Sequence, residues 1–236
     1  MSLPRIVVDR IPEAGASCRI TGEEVAHAHA RRLGRGESVA LVDGSGLEAV
    51  GRLSRLTRQE LEVEVQSVRE AADASPAIAL CVCAVRAERL SWIAEKATEM
   101  GAARLTIVSS ERTQRFRATD ALFARLQRVM REAAKQAERA RWPQITGPVA
   151  LCELVRTEGA ENRLILDSRG EMFPAVLPAR TTALLVGPEG GWSDADLEQA
   201  LAAGWIAVSL AAGLLRAETA AISALALAGA ALARAR

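Results

Sequence analysis

The spacing of apolar residues changes once along the chain, and that change constrains the fold more than any other feature. Up to about residue 70 the period is two: Leu61, Val63 and Val65 alternate with Glu60, Glu62 and Glu64. Successive strand side chains point to opposite faces, so this segment buries one face and wets the other. Residues 38–42 and 47–53 flank Asp43-Gly44-Ser45-Gly46, which accepts the positive φ angles of a hairpin turn, and they are expected to pair. Beyond residue 77 the pattern is different. The unbroken apolar run 78–85 suits a strand covered on both faces, and Leu90, Ile93, Ala94, Ala97 and Met100 then recur at helical spacing. Gly101 fits the residue after that helix and 105–108 the next strand, which makes a βαβ unit and implies a parallel sheet.

Further strands are expected at 164–166, 183–186 and 206–210, with helices at 194–203 and from Arg216 onward. Residues 70–77 follow neither periodicity and read as a linker. The expectation is therefore a β-rich domain over residues 1–72 and an α/β domain over residues 77–236. With 236 residues, half of them hydrophobic, the chain can supply two unequal cores.

A net charge of +1 places no global demand for a polyanionic partner, so any nucleic-acid site must come from local clustering. The four cysteines contain no CxxC pair and the only histidines are His27 and His29, so no metal site is expected and both histidines read as surface residues. Cys81 and Cys83 lie in an apolar strand and read as packing residues, as do the four tryptophans. No secretion signal is read in the first ten residues, and the alanine-rich run 220–233 is too short and small-residued for a membrane span. A cytoplasmic protein with no membrane partner is expected.

Local clustering occurs between residues 112 and 141, where nine basic residues face only Asp120, Glu132 and Glu138. A helix over 120–141 places Leu122, Leu126, Val129, Ala133 and Ala137 on one side and Arg125, Arg128, Arg131, Lys135 and Arg139 on the other. Such a stripe fits a phosphate backbone or an ordinary solvated face. A second feature is the strand 184–186 running into Gly187-Pro188-Glu189-Gly190-Gly191-Trp192, with Ser193 placed to cap the next helix. Glycines let backbone amides approach a ligand closely, and the absence of GxGxxG or GK[ST] points to a nucleoside-like ligand rather than a triphosphate. The third is Leu214-Leu215-Arg216-Ala217-Glu218-Thr219-Ala220, where polar groups interrupt an apolar stretch at a helix start and need partners. Helix-end electrostatics would account for Glu218 equally well.

In that order, GPEGG and LR-x-ETA resemble the paired cofactor-loop motifs of the bacterial 16S rRNA uracil-N3 methyltransferases, of the SPOUT class. Residues 88–101 with Ser110-Glu111-Arg112, and residues 132–143, are similar too; more weakly, so are Arg32, Gly36 and Asp43-Gly44. The resemblance implies a PUA-like β-barrel followed by an α/β SPOUT domain with a C-terminal trefoil knot, a homodimer, S-adenosyl-L-methionine as cofactor, and 16S rRNA or the small ribosomal subunit as partner. The knot comes from the resemblance alone, because no periodicity reveals one. In place of the family's Leu-Gly-x-Arg the chain reads Leu210-Ala211-Ala212-Gly213, so a customary arginine is missing at Gly213.

The cofactor is expected against Val186, Gly187, Pro188, Glu189, Gly190, Gly191, Leu210, Leu215, Arg216, Ala217 and Thr219. RNA is expected at Arg32, Arg112, Arg125, Arg128, Arg131, Lys135 and Arg139. Methylation of N3 needs a base for its proton and a cation for the charge that spreads onto the ring carbonyls. Glu189 and Glu218 are the candidate bases, or else structural groups, and Arg216 is the candidate cation. Action on another RNA position (a ribose 2′-hydroxyl or transfer RNA), and a non-catalytic RNA-binding module, stay open as alternatives.

Overall fold

The structure, a computed structural model, describes residues 3–71, 77–113, 116–178, 181–210 and 213–234. It divides into two compact units, Met1–Ala74 with Ala134–Arg141, and Ser75–Ala133 with Trp142–Arg236. Most of the expected linker, residues 72–76, lies outside the described residues.

The first unit contains β1 (Arg5–Val7), β2 (Ser17–Thr21), α1 (Glu23–Ala30), β3 (Ser38–Val42), β4 (Leu47–Leu56) and β5 (Glu60–Glu70), in a sheet ordered β1-β3-β4-β5-β2. The expected hairpin is present: β3 pairs antiparallel with β4, and Gly44 and Gly46 take φ of 84° and 95° in the turn. Leu61, Val63 and Val65 point into the core with Ile6, Leu41 and Leu53. α1 departs from the strand-only expectation; it has eight residues and buries only Val25 and Ala28, too short a stripe to stand out in the sequence.

Ala134–Arg141 completes this unit from far along the chain. Lys135 is 5% exposed and its Nζ lies 2.8 Å from Oε1 of Glu24, whose other oxygen accepts from the Val7 amide at 3.2 Å. The Arg141 guanidinium lies against Gly46, where a Cβ would sit 2.1 Å from Nε. Lys135 is therefore an internal charge, and its assignment to a solvent-facing RNA stripe is corrected. Lys135→Met should strip Glu24 of this cation and cost about 3 kcal/mol, read as a lower urea midpoint; adding Glu24→Gln should restore part of it.

The second unit contains β6 (Ala77–Cys83), α2 (Ala87–Glu99), β7 (Arg104–Ser109), α3 (Asp120–Gln136), β8 (Gln144–Ala150), α4 (Leu151–Thr157), β9 (Asn162–Met172), β10 (Thr181–Val186), α5 (Asp194–Ala202), β11 (Ile206–Ser209) and α6 (Ala217–Arg234). Six parallel strands run in the order β11-β9-β10-β6-β7-β8. On β6, Ile78, Leu80 and Val82 belong to one buried cluster with α2, α3 and α6, while Ala79, Cys81 and Cys83 belong to another with α4 and α5. Helices on both faces explain why this strand reads as an unbroken apolar run. Burial pushes the Cys81 and Cys83 thiols up to about 12 and about 11, so both stay protonated at neutral pH.

α3 ends at Gln136 rather than reaching residue 141, because Glu138 adopts φ of 55° and the Arg139 amide turns back to the carbonyl of Ala134. β8 and α4 have no counterpart among the expected elements. β8 is an edge strand with Pro148 and no fully buried residue, so it offers no apolar run. α6 is long and apolar enough to cross a membrane by length and composition, yet Ala221, Ala224, Leu225 and Ala228 are buried in the core shared with α2, β6 and β10. Small residues there let the helix lie close to its neighbours.

Candidate functional site

A cavity of about 460 Å³ opens where β10 and β11 lead into their following segments, beside the middle of β9. The ends of parallel strands are the usual ligand site of an open α/β sheet, because the chain must leave the sheet there and neighbouring exits part. Its walls combine Val186, Gly187, Pro188, Glu189 and Gly191 after β10 with Ser209, Leu210 and Leu214–Ala217 after β11. The two segments singled out in the sequence thus share one cavity. β9 adds Leu166, Asp167 and Ser168, and α2 adds Arg89.

The loop after β10 is held from three sides. Ser193 caps α5, its Oγ accepting from the Asp196 amide at 3.1 Å, as the sequence suggested. Trp192 is buried and donates through Nε1 to the carbonyl of Leu166 at 2.9 Å. Arg112 donates from Nη1 to the carbonyls of Gly190 and Trp192, both at 3.2 Å. Arg112 is thereby an anchor of the glycine loop.

Charge in the site is organised around Arg89. Its Nη1 bonds Glu189, and its Nε lies 3.7 Å from Oε1 of Glu218. One cation thus separates two carboxylates that would otherwise repel each other. Glu189 lines the cavity; Glu218 sits behind Arg89, with its Oε2 buried and without a hydrogen-bond partner. Arg216 also lines the cavity and is exposed, and it forms no ion pair among the described residues. Asp167 is gripped by Arg169 through Oδ1 and Oδ2 at 2.9 and 3.0 Å. That hydrogen bonding holds its carboxyl below the ordinary value of 3.8. Asp167 therefore stays ionised at neutral pH, and the stability it contributes is lost only as pH falls below that range.

Of the eleven residues expected to hold the cofactor, nine line the cavity; Gly190 and the exposed Thr219 do not. Gly213 also lines it, and a Cβ there would meet nothing within 4 Å, so open space lies where the family's arginine would stand. Its neighbours Ala211 and Ala212 lie outside the described residues. Sequence reasoning missed Arg89, Leu166, Asp167 and Ser168. Arg89 carried one signal, a charged residue in the first turn of an amphipathic helix directly after a buried strand. Of the basic residues expected to meet RNA, Arg125, Arg128 and Arg131 are exposed on α3, Arg32 is exposed after α1, and Arg139 is half-buried. Among the described residues no group of three or more His, Cys, Asp or Glu could hold a metal ion.

Residues 73–229 match the RNA methyltransferase domain family, and residues 20–66 match the RNA methyltransferase PUA domain family. The ribosomal RNA small subunit methyltransferase E of Mycobacterium bovis is 31% identical over 92% of this chain and 88% of its own length. That of Aquifex aeolicus is 30% identical over 85% and 88%. Among solved structures, the Neisseria gonorrhoeae ribosomal RNA small subunit methyltransferase E bound to S-adenosyl methionine aligns with a TM-score of 0.86 at 27% identity, covering 95% of this chain and 96% of that one. A Legionella pneumophila protein in complex with SAM aligns with a TM-score of 0.85 at 28% identity, covering 96% and 97%.

Proposed function

Because the chain belongs to the RNA methyltransferase family and is thereby an S-adenosylmethionine-dependent methyltransferase of ribosomal RNA, we propose that its target atom is N3 of a uridine in the 16S RNA of the small subunit. Its fold is the expected one, a SPOUT-type parallel α/β sheet after a PUA-like β domain. The observation that carries the reading is the convergence of the loops after β10 and β11 on a single cavity.

The residues present fit the cofactor. About 460 Å³ falls within the range of roughly 300–1,000 Å³ usual for small-molecule sites. Leu166, Val186, Leu210 and Leu215 offer apolar wall, and Asp167 and Glu189, each paired with an arginine, offer carboxylate oxygens as hydrogen-bond acceptors. At Gly187 a Cβ would lie 2.9 Å from the Trp192 ring, so the wall there is as thin as a peptide allows. When bound, S-adenosylmethionine supplies a methyl group made electrophilic by its sulfonium.

The chain itself must take the N3 proton and steady the charge left on the ring. Glu189 lines the cavity and is the carboxylate placed to accept that proton; Glu218, off the lining, acts through Arg89 as a positioning residue. Arg216, which lines the cavity and forms no ion pair among the described residues, is the cation read as steadying the carbonyl oxygens onto which the charge spreads. The exposed arginines of α3, with Arg32, are read as contacts to RNA phosphates. A homodimer is part of the same reading, supported by Leu214, apolar and 93% exposed at the cavity rim, which a second copy would cover. A cytoplasmic location belongs to the same reading, as the compartment in which ribosomal RNA would be met.

The test is transfer of labelled methyl groups to hypomethylated small ribosomal subunits, followed by digestion and nucleoside chromatography. Label in N3-methyluridine is the expected result. Label in another nucleoside would move the target, and no transfer at all would overturn the assignment.

A further inference from the structure

A second cavity, of about 220 Å³, borders the start of α2. Ala84, Val85, Phe116 and Leu122 form apolar walls, and Arg86 and Arg117 also line it. Its position relates two features already described. Arg86 is the residue before α2, and Arg89, in the first turn of α2, lines the cofactor cavity. Leu122 belongs to the first turns of α3, three residues before Arg125, where the exposed arginines begin. The pocket is therefore lined by the residue before the helix that carries Arg89 and by the first turns of the helix that carries the exposed arginines.

The lining selects a class of ligand. Arg86 and Arg117 are exposed and form no ion pair among the described residues, and no side chain caps the N-terminus of α2. The first turn of a helix leaves amides unsatisfied and favours an anion. Glu88 and Asp120, the acids in the first turns of α2 and α3, are exposed and outside the lining. At about 220 Å³ the volume is below the range of whole small-molecule ligands, roughly 300–1,000 Å³, and suits a single flat ring. Phe116, half-buried, gives that ring an aromatic face.

We propose that this pocket binds a nucleotide of single-stranded RNA next to the methylated uridine, its base against Phe116 and its phosphate between Arg86 and Arg117. The proposal rests on the RNA methyltransferase reading and adds a second point of attachment to it. Holding a flanking nucleotide would favour an unstacked target, since a neighbour bound in its own pocket no longer stacks on the base that must enter the cofactor cavity.

Two variants of the full chain test it, Arg86→Ala/Arg117→Ala and Phe116→Ala, with two measurements on each. In methyl transfer to hypomethylated small subunits, KM for the subunit should rise about tenfold or more, as for loss of one stacked base. The affinity for S-adenosylmethionine should stay that of the wild type. In direct binding of a fluorescent hexauridylate, the double arginine variant should show a salt dependence shallower by about 0.7 in the log–log slope, because one phosphate of the single strand is no longer neutralised. Unchanged KM and unchanged hexauridylate binding in both variants would overturn the proposal, as would a loss of cofactor affinity that accounts for the whole effect. If wild-type protein transfers no methyl group to the subunit, the functional reading fails by itself, and hexauridylate binding by the variants still decides the pocket.

Discussion

Arg216→Ala is expected to lower methyl transfer by about 10²–10³ while leaving the fold and cofactor affinity nearly intact. Arg89 is engaged by Glu189 and lies near Glu218, and Arg112 holds the carbonyls of the glycine loop, so neither offers an unengaged guanidinium to a substrate. Arg216 lines the same cavity, is exposed, and forms no ion pair among the described residues. Its backbone carbonyl caps the start of α6 by accepting from Ala220 at 2.8 Å, a bond that alanine would keep. The loss should therefore appear in kcat under saturating cofactor, with the melting temperature and the calorimetric Kd for S-adenosylmethionine close to wild type. Arg216→Lys should recover part of the rate, since it keeps the charge and loses the planar fork. Wild-type turnover in the alanine variant would remove Arg216 from the chemistry.

Gly187→Ala is expected to abolish measurable cofactor binding and to destabilise the second unit by about 1–3 kcal/mol. The added Cβ would fall 2.9 Å from Cε2 and 3.1 Å from Nε1 of Trp192. That indole cannot retreat: it is 4% exposed, packs with Cys81, Cys83, Val108 and Ile165, and is tied to the carbonyl of Leu166. The loop must instead move into the cavity that Gly187 and Leu166 both line. Gly191→Ala is the matched control. Gly191 has φ of 69° and nothing within 4 Å of its virtual Cβ, so alanine there brings backbone strain of roughly 1–2 kcal/mol without filling space. Isothermal calorimetry and thermal unfolding on both variants separate the two effects. Equal cofactor affinity in Gly187→Ala and wild type would show that the loop after β10 does not form the binding wall.

The sequence alone determined the two-part architecture and the place of the site, and the reason is that burial patterns are local. β6 showed as an apolar run because helices cover both its faces, and β5 as an alternation because its sheet has one buried face. The glycine turn and the Leu215–Ala217 segment were legible because close approach and helix starts restrict residue type at the position itself. Where local pressure is weak, legibility failed: α1 buries two residues, and β8 is an edge strand with none fully buried. Only the tertiary structure decided which charges meet. Arg89 reaches Glu189 across 100 residues and Lys135 reaches Glu24 across 111, so one was missed as a site residue and the other was wrongly placed on the surface. Helical spacing fixes the face of α3 on which Lys135 lies, but whether that face meets water or a carboxylate depends on what the chain packs there, and residue spacing carries no record of it.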